Sequence, residues 1–310
     1  MHEIVWIERN GLDSFAAGQQ KSFRSALEQA GYTVRTQRYQ PRAPWRLAGC
    51  EWLVWTFVPT QLDVWAARMF AVRQLALVHS EPCKDQGLPK LHGWCVPSES
   101  LRMHLLDLGV PGDRINIVQG YQVDASKEPN ENAEPRIYVP GGLYPGMGHQ
   151  AMLRMMTILQ HLHPLAQVVF HGEGDELEKT EQQSRLACNE GTFRLASSAE
   201  TVSDLVAWAN IVCLPMQNDQ VPDALFESLS QSKLILATKH PSLQEWLRHQ
   251  ENSWLLTDVR PPNWAGAIHQ VWGDVPLQKK LREAARATRL PGRLPLLPEM
   301  FRVPQAVSAA

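Results

Sequence analysis

The sequence lacks the features that mark several large protein classes. No run approaches about 18 consecutive apolar residues, so it offers no ordinary membrane-spanning helix. The opening Met1-His2-Glu3-Ile4 has neither the basic nor the apolar region of a signal peptide, and the expected place of the chain is the cytoplasm. Cysteine is sparse and odd in number: Cys50, Cys83, Cys95, Cys188 and Cys213, with no C-x-x-C pair. That argues against a disulfide framework and against a zinc site, and predicts reduced, structural thiols. No block of like charge stands out and the net charge is −2, which argues against nucleic acid as a partner.

What is present describes an ordinary globular chain of two domains. At 310 residues, with 44% hydrophobic and 20% charged, it exceeds what one core usually sustains. Short apolar strands alternate with helical patterns, the signature of parallel α/β units. Strands are expected at Ile4 to Glu8, Thr33 to Arg38, Trp52 to Val58, Leu75 to His79, Trp94 to Val96 and Ile115 to Val118. Helices are expected at Phe15 to Ala30, Leu62 to Arg73 and Ser98 to Leu108. The stretch Asp124 to Pro135 contains no large apolar side chain and reads as a linker. A second set follows, with strands at Arg136 to Val139, Gln167 to His171, Phe193 to Leu195, Ile211 to Leu214 and Leu234 to Ala237. Its helices are expected at His149 to His161, Leu177 to Ala187, Val202 to Ala209 and Leu225 to Gln231. The expected fold class is α/β, two doubly wound Rossmann-like domains facing a cleft, over residues 1–122 and 135–290, with a tail at 291–310. Trp52, Trp55 and Trp65 sit at apolar positions and read as core.

The stretch from Leu214 to Leu229 carries the most chemistry. An apolar strand stops, turns through Asp219 and Pro222, and feeds a helix that holds Glu227. A helix N-terminus favours anions, because its first N–H groups lack partners and its dipole is positive there. Proline in the first turn sacrifices nothing. Glu227, about one turn in, is placed to accept ribose hydroxyls, as acidic residues do in dinucleotide folds. The alternative is a solvated turn with an N-terminal helix charge. Gly141-Gly142, after a strand and before a helix, lets backbone approach a phosphate closely, against the alternative of a plain tight turn. Gly172-Glu173-Gly174 is a lone G-x-G and reads as a turn. His79 at a strand end suits a hydrogen bond to a sugar or a proton transfer, against a histidine satisfying loop backbone. Arg35, Arg38, Arg42 and Arg46, interleaved with Tyr39 and Trp45, suit anionic lipid or an acidic acceptor at a membrane face, against a solvated loop.

Four segments resemble the retaining glycosyltransferases of family 4, which have the GT-B fold. Val96-Pro97-Ser98 through Gly109-Val110 to Gly120-Tyr121 is similar to the passage that ends the family's first domain. Tyr138 to His149, with Gly141-Gly142-Leu143, resembles the "VGRL…KG" loop that opens the second. Val168 to Leu177 resembles the following strand and turn. Ala209 to Ser228 resembles "AD..V.PS..EGFPN.LLEA". Where the family carries an arginine and a lysine on the donor diphosphate, this chain has Gly142 and Met147, and Asp219 replaces the first glutamate of the pair. Only Glu227 is unchanged.

The resemblance implies transfer of a sugar from a UDP- or GDP-linked donor to a glycan or lipid-linked acceptor, with retention. Asp219 and His79 would face the sugar and acceptor. Glu227 would hold the ribose, and Gly141, Gly142 and the N–H groups of Asp223, Ala224 and Leu225 the phosphates. No cofactor beyond the nucleotide sugar is implied, and no metal, since the chain has no Asp-x-Asp pair. The missing cations keep open a second reading, a non-catalytic GT-B module that binds a nucleotide sugar or glycan, or a partner subunit in polysaccharide assembly. They also leave His149 and Arg194 as candidate substitute cations.

Overall fold

The computed structural model describes residues 3–8, 23–24, 27–28, 30–39, 50–56, 59–68, 72–77, 88–117, 134–172, 174–197, 199–217 and 221–288. The chain divides into two compact units, built mainly on Gln19–Tyr121 and on Gln122–Leu290.

The first unit is a six-stranded parallel sheet in the order β2-β1-β3-β4-β5-β6. Its strands are β1 (Glu3–Glu8), β2 (Thr33–Arg38), β3 (Trp52–Trp55), β4 (Arg73–Leu77), β5 (Gly93–Val96) and β6 (Ile115–Ile117). Side chains alternate across it: Ile4 and Trp6 join one core cluster with Phe23 and Leu27, while Val5 and Ile7 join another with Leu101 and Leu105. Burial on both faces is why these strands read as continuous apolar runs. Helix α1 (Gln61–Arg68) is shorter than the periodicity predicts, because Arg73 is drawn into β4. There its N–H bonds Glu51 O at 3.1 Å, and Arg73 pairs in register with Trp52. The next residue, Gln74, is buried and satisfied by Trp55 Nε1 at 3.1 Å and by Val64 O at 3.2 Å. Trp52 and Trp55 are core as expected; Trp65 is not, standing 64% exposed beside Leu62 on the outer face of α1. Helix α2 (Glu99–Asp107) starts at Ser98, whose Oγ accepts the Leu101 N–H.

The second unit is also a six-stranded parallel sheet, in the order β12-β11-β10-β7-β8-β9. Strand β7 (Arg136–Pro140) lies at its centre. On one side run β8 (Gln167–His171) and β9 (Phe193–Leu195); on the other run β10 (Ile211–Leu214), β11 (Leu234–Thr238) and β12 (Trp254–Leu256). Numbered within the unit this is the order 3-2-1-4-5-6, which reverses direction between β7 and β10. Helices α3 (His149–Leu162), α4 (Leu177–Ala187), α5 (Val202–Trp208) and α6 (Asp223–Ser230) follow β7, β8, β9 and β10 in turn. The chain then adds α7 (Pro241–Gln244), α8 (Pro261–Gly273) and α9 (Val275–Ala287). None of these three was legible from the strand pattern. Met152, Met155, Leu159, Trp264 and Ile268 knit α3 and α8 onto one face of the sheet. Among the described residues Cys50, Cys95, Cys188 and Cys213 form no disulfide, and burial raises the pKa of each above its ordinary value. No described helix is long and apolar enough to cross a membrane.

Candidate functional site

Ligands of doubly wound sheets bind outside the carboxyl ends of strands where the strand order reverses. In the second unit that point lies between β7 and β10, and a small, half-open pocket lies there. Tyr138, Pro140 and Gly141 come from the end of β7, His171 from the end of β8, and Val202 from the first residue of α5. Pro222, Asp223 and Ala224 come from the start of α6. Pro222 caps α6 in an extended conformation, and the Leu225 N–H closes the first turn on Pro222 O at 2.9 Å.

The loop after β7 is held by close backbone packing rather than by side chains. Gly141, at φ +123°, donates its N–H to His171 O at 2.9 Å. A Cβ on Gly172 would overlap the carbonyl of Gly141, and one on Gly174 would lie 2.5 Å from Leu143 O. Glu176 N–H also reaches Leu143 O, at 2.8 Å. On the other flank, a Cβ on Gly148 would sit 2.7 Å from Pro215. The G-x-G that reads as a mere turn in sequence is therefore the bed on which the 141–143 loop lies.

Among the described lining residues the formal charge is that of Asp223, and Tyr138 pairs with His171. The Tyr138 hydroxyl lies 3.0 Å from His171 Nδ1. Burial, helped by the nearby Asp223 charge, pushes the Tyr138 phenol above its ordinary range. Burial lowers the His171 pKa, with Glu200 acting in the opposite sense. No lysine or arginine is among the described residues that line the pocket. The start of α5 is fixed by a capping box between Thr201 and Asp204. The preceding loop is fixed by Glu200, which accepts from Arg194 at 2.9 Å through both oxygens and from Ser197 N–H at 2.8 Å.

The expected site residues fall into three groups. Gly141, Asp223 and Ala224 line the pocket. Gly142 and Leu225 are buried behind it, and the Leu225 N–H is committed within its own helix. Glu227, also buried, accepts from Ser203 Oγ at 2.8 Å and from Gln231 Nε2 at 2.6 Å, tying α6 to α5. Asp219 and His79 lie outside the described residues, as do Arg42 and Arg46. Arg35, on the edge strand β2, pairs with Glu3 at 2.9 Å. Tyr138 and His171 are the site residues that the motifs alone did not single out.

A match to the family model described as glycosyl transferases group 1 covers residues 122–288, more than half of the chain. The chain belongs to the group 1 glycosyltransferases. Among curated proteins, no sequence matches it significantly. Solved structures similar in fold include HepE from Anabaena, in complex with UDP-glucose, at 13% identity and a TM-score of 0.72, covering 93% of this chain and 94% of that one. Sucrose-phosphate synthase from Thermosynechococcus elongatus follows at 14% identity and 0.70, with the same coverages. A glycosyltransferase from Rickettsia africae has 13% identity and 0.66, covering 92% of each chain. The two six-stranded parallel sheets are those of the two-domain GT-B architecture.

This glycosyltransferase does not restore the family's missing cations with either candidate substitute. Met147 is buried at 4% exposure. His149 is buried edge-on against Phe170, its ring centroid 5.0 Å away, and burial drops its pKa to about 4, so it is neutral near pH 7. Arg194 is spent on Glu200, whose pKa falls to about 2 through the Arg194 hydrogen bonds first and the Ser197 N–H second. Its guanidinium lies 5.5 Å from the Trp208 ring centroid.

Proposed function

We propose that the switch-point pocket of the second unit holds the nucleotide of a UDP- or GDP-linked sugar, and that the enzyme transfers the sugar with retention to a glycan or glycolipid. The observation that carries this reading is the meeting of the Gly141 loop and the start of α6 in one pocket at the strand-order reversal. The UDP-glucose complex of HepE and a TarM complex with UDP and alpha-GlcNAc-glycerol support the donor and acceptor classes. The backbone of Gly141 and Gly142 and the α6 terminus meet the diphosphate. Glu227 lies three residues beyond Ala224, on the same helix face, and takes the ribose by exchanging its hydrogen bonds to Ser203 and Gln231. The acceptor hydroxyl oxygen bonds the anomeric carbon on the face that the diphosphate leaves, and its proton passes to the departing phosphate oxygen. The resemblance assigns Asp219 and His79 to the sugar side of the reaction. The reaction uses no metal and no further cofactor. Arg35, Arg38, Arg42 and Arg46 bring the enzyme to the inner membrane face when the acceptor is lipid-linked.

A thermal-shift series with UDP, GDP and ADP tests the donor site, because a ligand that binds only the folded state raises the melting temperature. At least one diphosphate raises it; no shift with any at millimolar concentration defeats the reading. The lack of lysine and arginine among the described lining residues favours a second reading, a nucleotide-sugar binder without turnover. Turnover distinguishes the two.

A further inference from the structure

Strand β8 is apolar through Val168, Val169 and Phe170 and then ends in His171. The His171 ring stands half-buried beside the fully buried Tyr138. A buried phenol needs a hydrogen-bond partner, and His171 Nδ1, at 3.0 Å, supplies it. The buried Tyr138 hydroxyl has no other hydrogen-bond partner among the described residues, so its O–H donates to Nδ1, which accepts. Burial disfavours the imidazolium against the pull of Glu200. The proton of the neutral ring then sits on Nε2, which makes no hydrogen bond to any described residue while His171 lines the pocket.

Sheet order places this N–H relative to the diphosphate. From the start of α6 after β10, the pocket crosses β7 at Gly141, reaches β8 at His171 and ends at Val202 before α5. Two strand steps, about 10 Å, separate β10 from β8. A nucleotide whose phosphates sit at Gly141 and α6 therefore extends its base toward His171 and Val202.

We propose that His171, oriented by Tyr138, is the residue that selects the donor base: its Nε2–H donates to a carbonyl oxygen of a keto base, so uracil or guanine is accepted over adenine. This deepens the proposed function and rests on its nucleotide site. Calorimetric titrations of UDP, GDP and ADP into the wild type, His171→Ala, His171→Gln and Tyr138→Phe test it. The wild type should bind UDP or GDP about tenfold more tightly than ADP, the worth of one net hydrogen bond. His171→Ala should lose that tenfold on the preferred nucleotide and leave ADP unchanged. His171→Gln, whose amide N–H reaches the same point, should keep most of the preference, and Tyr138→Phe should lose part of it. Equal binding of all three by the wild type, unchanged preference in His171→Ala, or an equal loss on UDP and ADP overturns base selection while the nucleotide site stands. Binding of none by the wild type overturns both.

Discussion

Replacing His149 with phenylalanine should stabilise the enzyme, and more so in acid. His149 is 2% exposed at the start of α3, edge-on to Phe170, and neither ring nitrogen has a hydrogen-bond partner among the described residues. Burial lowers its pKa from 6.5 to about 4. The folded state therefore binds fewer protons than the unfolded state between those values, and stability is full above pH 6.5 and lost as pH falls toward 4. At pH 5 the linkage amounts to about 2 kcal/mol. Phenylalanine removes that loss, keeps an aromatic edge against Phe170, and removes the unpaired nitrogens, worth about 1 kcal/mol or more at neutral pH. Urea denaturation of both proteins at pH 7.5 and pH 5, followed by tryptophan fluorescence, isolates the effect, since every other titrating group is common to the pair. The stability difference should widen by about 2 kcal/mol on going to pH 5. Parallel pH dependences would refute the reasoning.

Three further outcomes are expected. Gly172→Ala drives a Cβ into the Gly141 carbonyl, so it should lose about 1–3 kcal/mol of stability and weaken nucleotide binding as the 141–143 loop shifts, both read by thermal shift with and without nucleotide. Glu227→Ala leaves Ser203 and Gln231 without their acceptor and should weaken nucleotide binding tenfold to a hundredfold along with a lower melting temperature; wild-type affinity in calorimetry would remove Glu227 from the site. Gly142→Arg puts a cation on the loop that has none and should tighten diphosphate binding by about 1–2 kcal/mol, an increment that should shrink as salt is raised in the titration.

Much of the second unit was legible because period and punctuation agree. Strands β8, β9 and β10 and helix α4 begin and end where the sequence pattern puts them. Helices α8 and α9 are not legible in the sequence pattern, because α8 follows only the three-residue β12 and α9 follows α8 directly, with no strand between them. The end of α1 was misplaced because pairing with β3 overrides helical spacing at Arg73. At the site, Gly141, Asp223 and Ala224 were legible from motif and turn chemistry. Tyr138 and His171 were not, because their partnership spans 33 residues and is visible only once β7 and β8 lie side by side. The one sequence signal was a histidine closing an otherwise apolar strand. Glu227 illustrates the reverse: its position on the helix was predictable, but its partners Ser203 and Gln231 depend on how α5 packs against α6.

The most direct test of the account is turnover without the family's cations. Purified wild-type enzyme incubated with UDP- and GDP-linked sugars, with glycan acceptors and with water alone, should release free nucleoside diphosphate in proportion to time and enzyme. Glu227→Ala should release it far more slowly. No release above the enzyme-free rate from any donor, by a preparation that still binds nucleotide, would contradict the account and leave a binding module in its place.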